Sequence, residues 1–171
     1  KFTADTSGFV SGIRFYKSAA NTGSHVGSLW SNTGQLLATA TFVGESVSGW
    51  QQVNFSSPVH INSNTLYVAS YYSPTGDFSV SPFYLGLGFG ADNAPLHVPG
   101  DGISGPNGVF ANGPSSSFPN TAFQSSNYWV DVLFDPIPTN LTFVSGSLPY
   151  GFETGFYFQK LKVAGGTQPY T

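Results

Sequence analysis

Cleaving a glycosidic bond takes two carboxyl groups facing each other across a cleft. This chain has eight Asp and Glu residues, and no spacing marks any two of them as such a pair. Its three histidines, His25, His60 and His97, lie far apart. None falls in the His-x-x-x-His pattern that puts two imidazoles on one helix face around a metal. Serine is abundant, but no Gly-x-Ser-x-Gly elbow presents one as a nucleophile. Cysteine is absent, which removes the thiolate nucleophile, the thiolate zinc site and the disulfide framework together. The expectation is a chain without catalytic activity.

Two binding chemistries remain. Asp92, Asn93, Asp101 and Asn107 fall among glycines in one stretch. Hard cations take carboxylate, amide and backbone oxygens, so these four are the candidate calcium ligands, although their spacing is not that of an EF-hand loop. Asp and Asn also stabilise turns through local hydrogen bonds, which would account for them without any ion. His97, in the same stretch, reads as a structural hydrogen-bonding residue. The second chemistry is aromatic. Phe, Trp and Tyr make up 16% of the chain, and a flat ring packs against the apolar face of a sugar while neighbouring amides and carboxylates supply directional hydrogen bonds. Trp50, Tyr71, Tyr72, Tyr84 and Trp129 are the candidate glycan-binding rings. Asp131 joins them, because alternation along a strand sets it on the side of Trp129. The plain alternative is that most such rings fill a core, Trp30 and Trp50 among them.

These residues sit on a strand-and-turn sequence. Short runs rich in Val, Phe, Tyr, Trp and Thr recur between Gly, Pro, Ser and Asn, and no helical period appears. Strands are expected at 9–17, with a bulge at Gly12, at 26–31, at 35–43 after a turn at Ser31-Asn32-Thr33-Gly34, and at 49–55. A short edge piece at Val59 and Ile61 and strands at 66–72 and 128–134 complete the set. Residues 73–125 have weak periodicity. A stretch of that length inside a compact domain is either functional or held by ligands, and short strands are expected within it near 78–83 and 109–110. Asp135-Pro136-Ile137-Pro138 reads as a stiff linker, since proline fixes φ and has no donor. Strands at 141–144 and 156–163 follow, too few to stand as a domain.

Charged residues make up only 8% of the chain and the net charge is −3, against about 25% charged in an average soluble domain. Such a surface suits an extracellular module, a packed assembly subunit, or both. Lys1, Arg14, Lys17, Lys160 and Lys162 are the only basic residues. They make no extended patch, and nucleic-acid binding needs many phosphate contacts. No apolar run reaches the ~20 residues of a membrane span. No signal peptide is visible and Met is absent, so the sequence is expected to be a mature piece of a longer chain.

Several separated motifs occur in one order: Lys1-Phe2-Thr3-Ala4-Asp5, Gly12-Ile13-Arg14-Phe15-Tyr16-Lys17, Gly27-Ser28-Leu29-Trp30, Ser48-Gly49-Trp50-Gln51-Gln52-Val53, Asp92-Asn93-Ala94-Pro95-Leu96-His97, Gly105-Pro106-Asn107-Gly108-Val109 and Asn127-Tyr128-Trp129-Val130-Asp131-Val132. In them residues 1–134 resemble the bacterial domain-of-unknown-function family 4082. The resemblance implies an extracellular β-sandwich from a large secreted protein, beside Ig-like and carbohydrate-active modules, and implies no activity. Leu148-Pro149-Tyr150-Gly151, Gly155-Phe156-Tyr157-Phe158-Gln159 and Gly165-Gly166-Thr167-Gln168-Pro169-Tyr170 resemble the opening of a bacterial Ig-like repeat over residues 137–171.

The expected fold is therefore all-β: an antiparallel sandwich of jelly-roll type over 1–134, a Pro-rich linker over 135–140 and a partial Ig-like segment over 141–171. The expected function is a non-catalytic, glycan-binding module on a secreted or cell-surface protein, its partner a polysaccharide or cell-surface glycan. The rival expectation is a spacer or self-assembling filament subunit. There the strand at 155–163 pairs with another copy of the chain, because exposed strands are templates for pairing.

Overall fold

The computed structural model describes residues 1–86 and 88–137, and beyond them only one short pair of strands. The described residues contain thirteen strands in chain order: β1 (Thr3–Ala4), β2 (Gly8–Lys17), β3 (Val26–Ser31), β4 (Leu36–Thr41), β5 (Gly49–Ile61), β6 (Tyr67–Tyr72), β7 (Ala91–Asn93), β8 (Leu96–Val98), β9 (Val109–Phe110), β10 (Thr121–Ala122), β11 (Val130–Pro136), β12 (Thr142–Phe143) and β13 (Val163–Ala164). Among the described residues no helix is long and apolar enough to cross a membrane. Lys1–Pro136 forms one compact unit and Ile137–Thr171 a second.

The first unit is an antiparallel β-sandwich. One layer has the order β11-β2-β5. The other contains β4-β3-β6 and β1-β8-β7. These two pieces meet where Phe2 and Tyr67 exchange backbone hydrogen bonds of 2.9 Å in both directions. The chain crosses between layers from β2 to β3, from β4 to β5 and from β5 to β6, the winding expected of a jelly-roll type.

Alternation along β2 explains the layering. Phe9, Arg14 and Tyr16 face out, while Val10, Ile13 and Phe15 are buried. Phe15 sits at the centre: its ring stacks on Tyr71 at 4.3 Å and meets Phe42 edge-on at 4.9 Å. Such paired rings add ~0.5–1.5 kcal/mol beyond the area they bury. Leu29, Phe42, Phe55, Ile61 and Tyr67 complete the core around it.

The expected strands at 9–17, 26–31 and 66–72 are present with small shifts at their ends. Three expectations change. The pieces read as 49–55 and 59–61 are one strand, β5. Val10 pairs with Val59 and Gly12 with Asn54, so Phe55 to Pro58 bulge opposite Ser11. Pro58 has no N–H for a ladder and is tolerated there because the pairing is already broken on an edge strand. β11 begins at Val130 rather than Tyr128, because Trp129 has a φ of 51°, outside the extended range. It also runs on through Asp135 and Pro136, paired with Phe9 and Gly8. The proline read as opening a linker thus closes an edge strand.

Within 73–125, Val109–Phe110 is a strand, but 78–83 is not. There Ser81 makes a single bridge to Asn127, and Phe83 has a φ of 61°. The β7–β8 hairpin, joined through a cis Ala94–Pro95 peptide, lies in a part of the weakly periodic stretch where no strand is expected. Of the tail, the structure describes the pairing of Thr142 with Ala164 and Phe143 with Val163. The Ig-like resemblance and the strand at 155–163 lie mainly outside the described residues.

The bulge expected at Gly12 falls at Ser11, its neighbour, and Gly12 is needed for a different reason. A Cβ there would overlap the carbonyl oxygen of Val53 in the adjoining strand. Gly12→Ala should therefore destabilise the domain by roughly 2–3 kcal/mol through overpacking. Gly44, at a φ of +67° with open space around it, should cost only about 1 kcal/mol on the same change. Urea unfolding midpoints of the two variants check this order.

Candidate functional site

The region after β6 is ordered by polar clips rather than by long strands. Asn107 is the main one, 1% exposed. Its Oδ1 accepts from the backbone nitrogens of Lys1 (2.9 Å) and Gly108 (2.8 Å), and its Nδ2 donates to the carbonyls of Pro99 (2.7 Å) and Lys1 (3.2 Å). One carboxamide thus ties its own turn to Pro99 and to the distant Lys1. Asp101 adds a second clip: its Oδ2 accepts from Ser125 Oγ at 2.6 Å and its Oδ1 from the Asn107 nitrogen at 3.2 Å. The Ser125 hydrogen bond outweighs desolvation and holds the Asp101 carboxyl below its ordinary range. Phe83 and Leu85 donate backbone hydrogen bonds to Gln124 and Ser125 (2.7 and 2.9 Å). Phe83, Gln124 and Ser125 all have positive φ, a local strain that the surrounding bonds must hold in place.

Between these loops and the β6 and β11 side of the sandwich lies a cleft of about 760 Å³, within the range of small-ligand sites. Its walls carry Tyr71, Tyr72, Phe78, Tyr84, Phe110, Tyr128 and Trp129. Between the rings stand uncharged polar residues, among them Ser70, Ser73, Asn112, Ser116 and Asn127. Phe78 and Phe110 each pack against Tyr128, at 5.6 and 6.2 Å.

The candidate aromatic residues all line this cleft, but they play different parts. Tyr71 is largely core, stacked on Phe15. Its hydroxyl is buried and has no hydrogen-bond partner; the Ser79 backbone nearby does not meet hydrogen-bond geometry. Burial pushes this phenol far above its ordinary range, so it stays protonated. Tyr72 donates to the Pro114 carbonyl at 2.8 Å and braces the wall. Trp129 is half-buried, fixed by its Nε1 donating to Ser81 Oγ at 3.1 Å. Tyr84 is 45% exposed and lies 5.7 Å from Trp129. Trp50 projects from the outer face of β5, edge-on to Tyr16 at 5.7 Å, with the Arg14 guanidinium 4.8 Å over its ring. Asp131 is on that face too, accepting from Arg14 Nη2 at 2.8 Å and Nε at 3.1 Å. The positive φ of Trp129 breaks the alternation that would have placed it with Asp131.

Tyr16 and Arg14 were missed by sequence reasoning. Pairing of β2 with β5, which sets Tyr16 opposite Trp50, is the signal that finds them. Phe78, Phe110 and Tyr128 had no local signal, since loops far apart in the chain bring them together.

The four candidate calcium ligands do not converge. Asn107 and Asp101 spend their oxygens on the clips just described. Asp92 accepts from His97 Nδ1 at 2.8 Å, and Asn93 is an exposed residue of β7. Among the described residues no group of three or more His, Cys, Asp or Glu side chains is arranged to hold a metal ion. A separate polar cluster lies under the β2–β3 connection, linked to Ser73, whose Oγ donates to Asn21 Oδ1 (2.7 Å). Glu45 accepts from Lys17 Nζ at 2.7 Å, and His25 spans Glu45 (2.9 Å) and Asn21 (2.7 Å). Burial works to raise the Glu45 carboxyl, but the Lys17 and His25 bonds outweigh it and hold it low.

His97 sits between two carboxylates. Its Nε2 lies 2.8 Å from Asp5 Oδ1 and its Nδ1 2.8 Å from Asp92 Oδ1. The Asp5 contact is an ion pair off the ideal hydrogen-bond line. Asp5 first, then Asp92, raises the imidazole above its ordinary value. A raised folded pKa stabilises below the unfolded value of ~6.5, and that contribution is lost as pH climbs through the folded value. Titration of the His97 ring by NMR should show a midpoint above that of an unstructured histidine. Asp5→Asn should bring it down.

Residues 1–130 match the family described as a domain of unknown function (DUF4082). No curated protein and no solved structure matches the chain. The match takes in β1 to β10 and the start of β11, and so nearly all of the sandwich and every loop around the cleft; the chain belongs to the DUF4082 family.

Proposed function

We propose that this domain is a non-catalytic glycan-binding module of a secreted or cell-surface protein, with the cleft beside β6 and β11 as its site. The observation that carries the reading is the composition of that cleft: exposed or half-exposed rings at Tyr84 and Trp129, set among serine and asparagine side chains. Rings take the apolar faces of a sugar, and hydroxyls and amides take its hydroxyls, since both partners donate and accept. A phenol is protonated over the physiological pH range, and burial raises Tyr128 further, so its hydroxyl is a donor to the cleft.

The non-catalytic part of the proposal rests on the bonding of the acids and imidazoles. Asp101, Glu45 and the Asp5–His97–Asp92 set hold the fold together, and none is aimed with a second reactive group into the cleft. A secreted setting accords with the low charge. Pairing between copies through 155–163 concerns residues outside those described, and no observation favours it here.

Tyr84→Ala removes an exposed ring at little cost to the fold. It should weaken glycan binding about tenfold, equivalent to ~1.4 kcal/mol, as loss of an interface tyrosine commonly does. Tyr71→Phe should leave binding unchanged and the unfolding midpoint unchanged or raised, because the hydroxyl it removes is buried and has no partner in the fold. A polysaccharide and oligosaccharide array followed by calorimetric titration checks both. Failure of the unmodified chain to bind any glycan would sink the proposal.

A further inference from the structure

We infer that the glycan site continues past the cleft onto the outer face of β2 and β5, so that its ligand is a chain of several sugars rather than a single terminal one. The inference rests on the glycan-binding reading and adds the ligand's class. Strand register sets three aromatic residues in one row at one end of the β11-β2-β5 layer. Tyr16 stands opposite Trp50, and its backbone nitrogen donates to the Trp129 carbonyl at 3.0 Å. Neighbouring strands lie about 4.8 Å apart, so the row crosses roughly 10 Å from β5 to the residue before β11. Tyr84 extends it, with its ring 5.7 Å from that of Trp129. Tyr16, Trp50 and Tyr84 are 43, 44 and 45% exposed. Trp50 belongs to both parts of the site: it lines the cleft and meets Tyr16 edge-on at 5.7 Å.

A polar row runs beside the aromatic one. Asp131, Arg14 and Gln52 stand opposite one another on β11, β2 and β5. Arg14 lies over Trp50 and gives Nε and Nη2 to a single oxygen, Asp131 Oδ2. These contacts fix the indole, and a ring already held in place loses little freedom when a ligand stacks on it. They do not use Asp131 Oδ1 or Arg14 Nη1, and Gln52 beside them is exposed. Each of these groups can meet a sugar hydroxyl. One sugar stacks on one ring at a time and carries hydroxyls along its edges. A row of rings flanked by a row of donors and acceptors therefore matches successive sugars of a chain. The outer face repeats the composition of the cleft and adjoins it at Trp50 and Asp131, which line both.

The experiment titrates the full chain with the disaccharides and hexasaccharides of cellulose, xylan, mannan and galactan, and with the parent polysaccharides. It is repeated on Tyr16→Ala and on Gln52→Ala, which changes only an exposed side chain outside the cleft. The unmodified chain should bind a hexasaccharide more tightly than the matching disaccharide. Tyr16→Ala should weaken the hexasaccharide about tenfold, Gln52→Ala by a smaller factor, and both should leave the disaccharide unchanged. In the unmodified chain the Arg14 Nε–H resonance should move with the hexasaccharide and stay still with the disaccharide, a readout that needs no variant to fold. A hexasaccharide affinity unchanged in both variants, an equal loss for the two lengths, or an Arg14 resonance unmoved by the hexasaccharide would overturn the inference and leave the glycan-binding reading standing. Absence of binding to every saccharide of the set would overturn both.

Discussion

A buried carboxamide with every hydrogen bond satisfied organises this domain beyond its sandwich. Asn107 answers the backbone at Lys1, Pro99 and Gly108 at once, in a region with neither disulfides nor long strands. A buried backbone group left unpaired costs ~1–3 kcal/mol, so removing this one side chain would orphan several groups together. Gly108 completes the arrangement. At a φ of +69° it passes so close to Ser126 that a Cβ would overlap the Ser126 carbonyl. The loops carrying the cleft wall are thus fixed by directional bonds, where a larger protein would use added core.

The two halves of the domain divide the work. Phe15, Leu29, Phe42 and Ile61 hold the layers together by burial, a non-directional force that tolerates changes in surface residues. The cleft wall instead depends on a few specific donors and acceptors, with strained backbone at Phe83, Gln124 and Ser125 held between them. A rigid wall costs a ligand little ordering entropy on binding, which is where preorganised sites gain affinity. The low charge fits the same design. Near the cleft Arg14 is paired with Asp131, and His97 is held between Asp5 and Asp92.

Sequence patterns made the sandwich legible because strands with one buried face alternate. Phe9 to Lys17 could be placed from that period, whereas Val26 to Ser31, with four consecutive buried residues, and Leu66 to Tyr72 could be placed as apolar runs between turn residues. The break expected between 49–55 and 59–61 is a bulge that includes Pro58, and the linker expected at Pro136 is the end of an edge strand; a proline forbids a donor, not an extended conformation. The cleft was legible only in part. Tyr71, Tyr72, Tyr84 and Trp129 were named for their chemistry, but nothing local tells a ring in the core from one on a wall. Tyr71 turned out to be both. Asp92, Asn93, Asp101 and Asn107 looked like cation ligands because turn-stabilising and ion-binding residues are the same types. Only their partners in space distinguish the two roles.

Hydrogen exchange on Asn107→Ala tests the central claim most directly. If Asn107 holds the cleft wall, amides in 83–86, 100–108 and 121–127 should exchange faster, while β2, β3 and β5 keep the protection of the unmodified chain. Unchanged protection in those loops, or equal loss throughout the sandwich, would contradict the account.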